Sequence, residues 1–209
     1  MKSRRLIRRA AACAALALAV LTAAPAAADI TRDGSASWTR NDNPGTYDAS
    51  ASDKLVVVVS GEHNFPGNLT GECTGVTYNG EPLAQAVQQF PADPATGGHG
   101  QTHSSIWYLD APGDFPGTGT IAVSCIGNNW VATAIGLSGT LPGTGPTVAV
   151  SGTPAADLPA ATDASLVIAA VGMGGQGNTA SPLPGVTAIS PAHADTIDAL
   201  EIGSNWAGH

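Results

Sequence analysis

Basic residues are few and unevenly placed in this chain of 209 residues. Of eight Lys and Arg, five (Lys2, Arg4, Arg5, Arg8 and Arg9) lie in the first nine positions, and only Arg32, Arg40 and Lys54 follow. Those three face sixteen carboxylates. A surface of that sign repels phosphate backbones and anionic headgroups, which argues against nucleic acid as a partner. Cysteine is scarce too. Cys13, Cys73 and Cys125 show no Cys-x-x-Cys spacing, so neither a thioredoxin-type redox pair nor a zinc ribbon is written here. After residue 28 no run of about twenty apolar residues occurs, which leaves no integral membrane segment in the remainder. Nor does a helix-period stretch longer than about two turns occur, so helical, Rossmann-like and crossover-barrel folds are poor fits.

The basic residues that do occur open the chain and are followed by an apolar stretch from Ala10 to Val20 and by Ala26-Ala27-Ala28. A charged start, an apolar run too short to span a bilayer and small residues at a cleavage point form a signal peptide over residues 1–28. Cleavage after Ala28 is expected, and with it a secreted, extracellular protein. Ser3-Arg4-Arg5-Leu6-Ile7-Arg8 also resembles a twin-arginine export signal. Cys13 is no lipidation site by this reading, because most of the apolar run lies after it. Residues 29–209 then form a single domain of ordinary size.

Loss of Cys13 leaves an even pair, Cys73 and Cys125, in an oxidising compartment, where a disulfide is expected. Gly, Pro, Thr, Ser and Asn punctuate short runs rich in Val, Ile and Thr, the pattern of many short strands joined by turns. Strands are expected near 35–39, 54–60, 73–78, 82–88, 104–110, 118–125, 130–138, 146–151, 165–172 and 199–206. Asn79-Gly80 should supply the positive φ angles of a tight hairpin turn between two of them. In the strand at 118–125, Ile121, Val123 and Cys125 share one face, so Cys125 should point inward with Cys73 opposite or nearby. Leu55 to Val59 and Leu166 to Val171 are apolar on both faces, as in strands covered on both sides. The fold expected is all-β, a two-sheet antiparallel β-sandwich of jelly-roll or immunoglobulin-like kind.

Three phrases occur in order: Val76-Thr77-Tyr78-Asn79-Gly80-Glu81-Pro82-Leu83, Ser105-Ile106-Trp107-Tyr108-Leu109 and Gly119-Thr120-Ile121-Ala122-Val123-Ser124. Together they resemble a family of secreted bacterial β-sandwich domains, over most of residues 50 to 172. The resemblance rests on structural residues. It implies the fold and brings no catalytic motif with it.

Few places gather chemistry. Glu62 and His63, with His99 and His103, are the candidate metal ligands, should their strands converge. Gly97, Gly98 and Gly100 argue against a helical pair of histidines, and the zinc-protease phrase needs Glu where Gly100 stands. Solvated loop histidines are the plainer expectation. No Gly-x-Ser-x-Gly elbow occurs. Glu62, Glu72, Asp110 and Glu201 are conceivable members of a glycosidase carboxylate pair. Asp42, Asp48, Asp93 and Asp114 sit in acidic loops without the Asp-x-Asp-x-Asp spacing of a calcium loop. The run Gly172 to Gly177 lacks the lysine of a phosphate loop. No cofactor is expected.

Trp107, Tyr108 and Trp130 are the candidate ligand-binding residues. Adjacent rings at Trp107-Tyr108 must point to opposite faces of a strand, one inward and one free to stack on a sugar. The function expected is a non-catalytic binding or surface-structural module recognising extracellular glycan or another envelope component. The alternative is a small glycan-active or metal-dependent hydrolase using Glu62, His63, His99 and His103.

Overall fold

The computed structural model of the chain describes residues 30–63, 73–89, 101–112, 117–125, 129–144, 147, 166–170, 186–188 and 200–203. In chain order the described strands are β1 (Thr31–Thr39), β2 (Gly45–Asp48), β3 (Lys54–His63), β4 (Cys73–Tyr78), β5 (Glu81–Pro82) and β6 (Ala84–Gln89). They continue with β7 (Gln101–Asp110), β8 (Thr118–Cys125), β9 (Asn129–Ser138), β10 (Val167–Ala170), β11 (Val186–Ala188) and β12 (Leu200–Gly203). One 3-10 turn, Arg40–Asp42, links β1 to β2. Among the described residues no helix is long and apolar enough to cross a membrane.

Two antiparallel sheets form the sandwich: β1-β9-β3-β7-β6, and β2-β8-β4-β5. The valine run occupies the middle of the larger sheet because a central strand can bury both of its faces. Every side chain from Leu55 to Ser60 is buried. Leu55, Val57 and Val59 pack with Val76, Tyr78, Ile121 and Val123 of the opposing sheet. Val56 and Val58 point the other way, into a second cluster with Ile135, Leu137, Ile106 and Tyr108. Leu166, Ile168 and Ala170 cover that cluster. They lie on or beside β10, the edge of a third sheet ordered β10-β12-β11. Full burial of each Val or Leu contributes roughly 1.5–3 kcal/mol, so this strand is the main apolar investment of the fold.

The hairpin forms as the sequence requires. Asn79 has φ 51° and Gly80 φ 87°, and Tyr78 pairs with Glu81 across the turn. The expected strand 82–88 is divided, however. Glu81 and Pro82 stay with β4, whereas Ala84 onward joins β7 in the other sheet. Leu83 is the corner between them, buried in the core with its N–H donating to the Val76 carbonyl at 2.9 Å. Proline has no N–H for a further ladder bond, which favours leaving the sheet here. The short strands β2 and β11 go beyond the sequence reading, being too brief to show a period. Most of the expected strand 146–151 lies outside the described residues.

Gly119 on β8 illustrates how tightly the smaller sheet is packed. A Cβ there would sit 2.1 Å from the ring of Tyr78, which is fully buried. Gly119→Ala should therefore cost about 1–3 kcal/mol, read as a lower urea midpoint at unchanged m. Gly75→Ala, where a Cβ meets nothing within 4 Å, is the control expected to stay near neutral. Equal midpoints for the two variants would contradict this packing.

Candidate functional site

Among the described residues the structure sends Trp107, Trp130 and His103 into the core. Trp107 is 6 % exposed and Trp130 2 %, both in the core cluster between the sheets. Neither indole offers a stacking face, which corrects the expectation of an aromatic binding surface. Tyr108 does point to the opposite face of β7, but the third sheet covers that side and the ring is half-buried. The Lys54 ammonium lies over it, 5.0 Å from the ring centroid.

His103 corrects the expectation of a solvated loop histidine. β7 begins at Gln101, so alternation sends His103 inward with Ser105 and Trp107. It is 2 % exposed, and its Nε2 lies 3.5 Å from Cys73 Sγ. Cys73 and Cys125 face each other across β4 and β8 and form the disulfide. Cys73 is buried and Cys125 half-buried. The Cys73 N–H donates to Gln88 Oε1 at 3.1 Å. Of the proposed metal ligands His63, His99, His103 and Glu62, His103 thus lies in the core. The backbone of His63 pairs with Gln101 and that of Glu62 with Thr102, while His99 lies outside the described residues.

Glu72, Asp93, Asp114 and the glycine run 172–177 lie outside the described residues. Glu201 belongs to β12 of the third sheet. Asp42 accepts from Thr39 Oγ1, and Asp48 from both the hydroxyl and the N–H of Ser50. Those bonds from Ser50 hold the Asp48 carboxyl below its ordinary range. Such partners make local turns rather than a shared cation site.

One cleft is built where β3 starts and β7 and β9 end. Ser52, Asp53, Asp110, Ala111, Thr140, Leu141 and Pro142 line about 400 Å³ there. The register explains the meeting point, since Lys54 stands opposite both Asp110 and Leu137. Two carboxylates pin the loop that follows β9. Asp53 Oδ2 accepts from Gly139 N–H and Asp110 Oδ2 from Gly143 N–H, each at 2.7 Å. Lys54 Nζ donates to Asp110 Oδ1 and to the Gly143 carbonyl, so ammonium, carboxylate and loop backbone form one closed set. Gly139 and Gly143 adopt positive φ, 75° and 79°, which lets the loop turn back on itself. On the adjoining wall Ser52 and Ser138 both donate to Asp33 Oδ2 at 2.7 Å. Nearby, burial pushes the Tyr47 phenol up, and the Asp33 and Asp48 charges add to it against a hydrogen bond with the Gly136 backbone.

Two features of the cleft remain unspent. Thr140 Oγ1 is buried without a hydrogen-bond partner among the described residues, and Leu141 is 82 % exposed. Asp110 was a candidate from sequence; Asp53, Thr140 and Leu141 were not. The available signal was an isolated leucine inside the turn phrase Gly139-Thr140-Leu141-Pro142-Gly143, where apolar residues have no core to enter.

Because its side chain is 8 % exposed and that of Asp110 32 %, Lys54 should be expensive to truncate. Lys54→Met should lower stability by about 1–2 kcal/mol, below the range for fully buried pairs because Asp110 retains water. Adding Asp110→Asn should restore part of the loss in urea unfolding. A double variant no better than the single would contradict a coupled pair. Comparison of the chain with protein-family models, with curated proteins and with solved structures gave no match.

Proposed function

We propose that the chain is exported from the cell that makes it and works as a non-catalytic binding module, taking a neutral or amino-bearing extracellular glycan in the cleft at the end of β3, β7 and β9. The carrying observation is the cleft itself, walled by Asp53 and Asp110, rimmed by the exposed Leu141 and lined by Thr140, whose buried Oγ1 has no hydrogen-bond partner among the described residues. A buried polar atom without a partner calls for one, and a sugar hydroxyl supplies both donor and acceptor. Carboxylates accept from further hydroxyls or an ammonium, while Leu141 and Pro142 can cover the C–H face of a ring. Acidic glycans fit poorly, since Lys54 is committed to Asp110 and Gly143. Binding by loops on a rigid sandwich needs no acid–base pair.

The test is a glycan array of neutral, amino-bearing and acidic glycans, probed with the purified chain and with Thr140→Val and Leu141→Ser. Binding to a neutral or amino-bearing glycan is expected, with about a tenfold loss in Thr140→Val from the missing hydrogen bond. No binding, or variants that bind as well as the parent, would defeat the reading. Export is tested separately by recovering the protein from bacterial culture medium with Asp29 at its N-terminus.

A further inference from the structure

Among the described residues, Cys73, His103 and Cys125 are the group whose ligand atoms gather closely enough to hold a metal, all within 4.8 Å of one another. We infer that reduction of the Cys73–Cys125 bond turns this group into a three-ligand site for zinc, with the two thiolates and His103 Nε2 as donors.

The geometry is nearly in place. Zinc binds Cys sulfur at about 2.3 Å and His nitrogen at about 2.0–2.1 Å, so a tetrahedral site sets N and S about 3.5 Å apart and its two sulfurs about 3.8 Å apart. The His103 Nε2 to Cys73 Sγ distance is 3.5 Å, the required edge. The two sulfurs must separate and Cys125 Sγ must come to the same distance from Nε2, from which it already lies within 4.8 Å; both cysteines sit on directly paired strands, where side-chain rotation can make these shifts. The ring is held from the larger sheet and both sulfurs from the smaller, so the ion would bridge the two layers as the disulfide bridges two strands. Gln88 Oε1, accepting from the Cys73 N–H, steadies one ligand from outside. Cys125 is half-exposed, which gives a reductant and an ion an approach and leaves the fourth position to water.

The chemistry balances with a dithiol as reductant. Its thiolate attacks Cys125 Sγ, Cys73 leaves as thiolate, and the second thiol of the reagent closes its own disulfide and frees Cys125. Two electrons pass to the protein sulfurs. Zinc then takes both as thiolates and releases two protons, with His103 neutral at Nε2. A newly made chain in a reducing compartment is in this dithiol form before any bridge closes.

The experiment is anaerobic titration with Co²⁺, the spectroscopic stand-in for zinc, of the chain reduced with dithiothreitol and then freed of it. Expected are one Co²⁺ per chain, thiolate-to-metal charge-transfer and tetrahedral ligand-field bands, and displacement by Zn²⁺. His103→Ala should bind at least about tenfold more weakly, a loss that outer partners of ligands already produce. His103→Cys should keep the ion with stronger charge-transfer absorption, which separates lost ligation from lost folding. Failure of the reduced chain to take up Co²⁺, unchanged affinity in His103→Ala, or equal uptake by the oxidised chain would overturn the inference.

Discussion

Replacing Cys73 and Cys125 together by alanine is expected to remove about 4 kcal/mol of stability. The bridge spans 52 positions of sequence, and in the chain-entropy account a closed loop of that length restricts the unfolded ensemble by about that amount. Domains of this size keep only about 5–15 kcal/mol in total, so the variant should remain folded with a much lower denaturant midpoint. Alanine is preferred to serine because Cys73 is buried, and a hydroxyl there would add an unsatisfied polar group to the effect. A loss below about 1 kcal/mol would mean that the unfolded chain already keeps β4 and β8 together.

Trp107→Ala should be nearly as damaging, by about 3–5 kcal/mol, because it empties an indole from the core. The ring stands opposite Val57 in the central strand and is enclosed by the two sheets, with Nε1 donating to Ser105 Oγ at 2.8 Å. Trp107→Phe fills most of the space and should lose less, leaving Ser105 without that donor. Denaturant midpoints of the two variants measure the difference. Had this residue been a sugar-stacking platform, truncation would weaken ligand binding and leave stability nearly untouched. A fully stable Trp107→Ala would revive that role.

What the sequence disclosed follows from how local each signal is. Period-two alternation and the Asn79-Gly80 turn are properties of a few adjacent residues, and they placed β3, β4, β7, β8 and β9 and the inward Cys125. The double-sided burial of β3 was legible because continuous valine tolerates no wet face. The fate of His103 was obscured by the glycines just before it, which suggested a loop where β7 already begins at Gln101. Tyr108 failed as an exposed ring for a different reason. The buried cluster it packs against is also covered by Leu166, Ile168 and Ala170, more than fifty positions later, and no local pattern announces which face a distant segment will cap. The end cleft was hidden likewise, since Asp53, Asp110 and Thr140 meet only through the pairing of β3 with both β7 and β9.

The central functional claim is that ligand chemistry resides in the loops at the end of the sandwich and that the tryptophans serve the core. It is tested most directly by following backbone amide and indole N–H resonances of the isotopically labelled chain as the best array glycan is titrated in. Shifts are expected at Ser52, Asp53, Ala111, Thr140 and Leu141, with the indoles of Trp107 and Trp130 unmoved. Perturbation centred on those indoles, or a titration that leaves the end cleft silent, would contradict it.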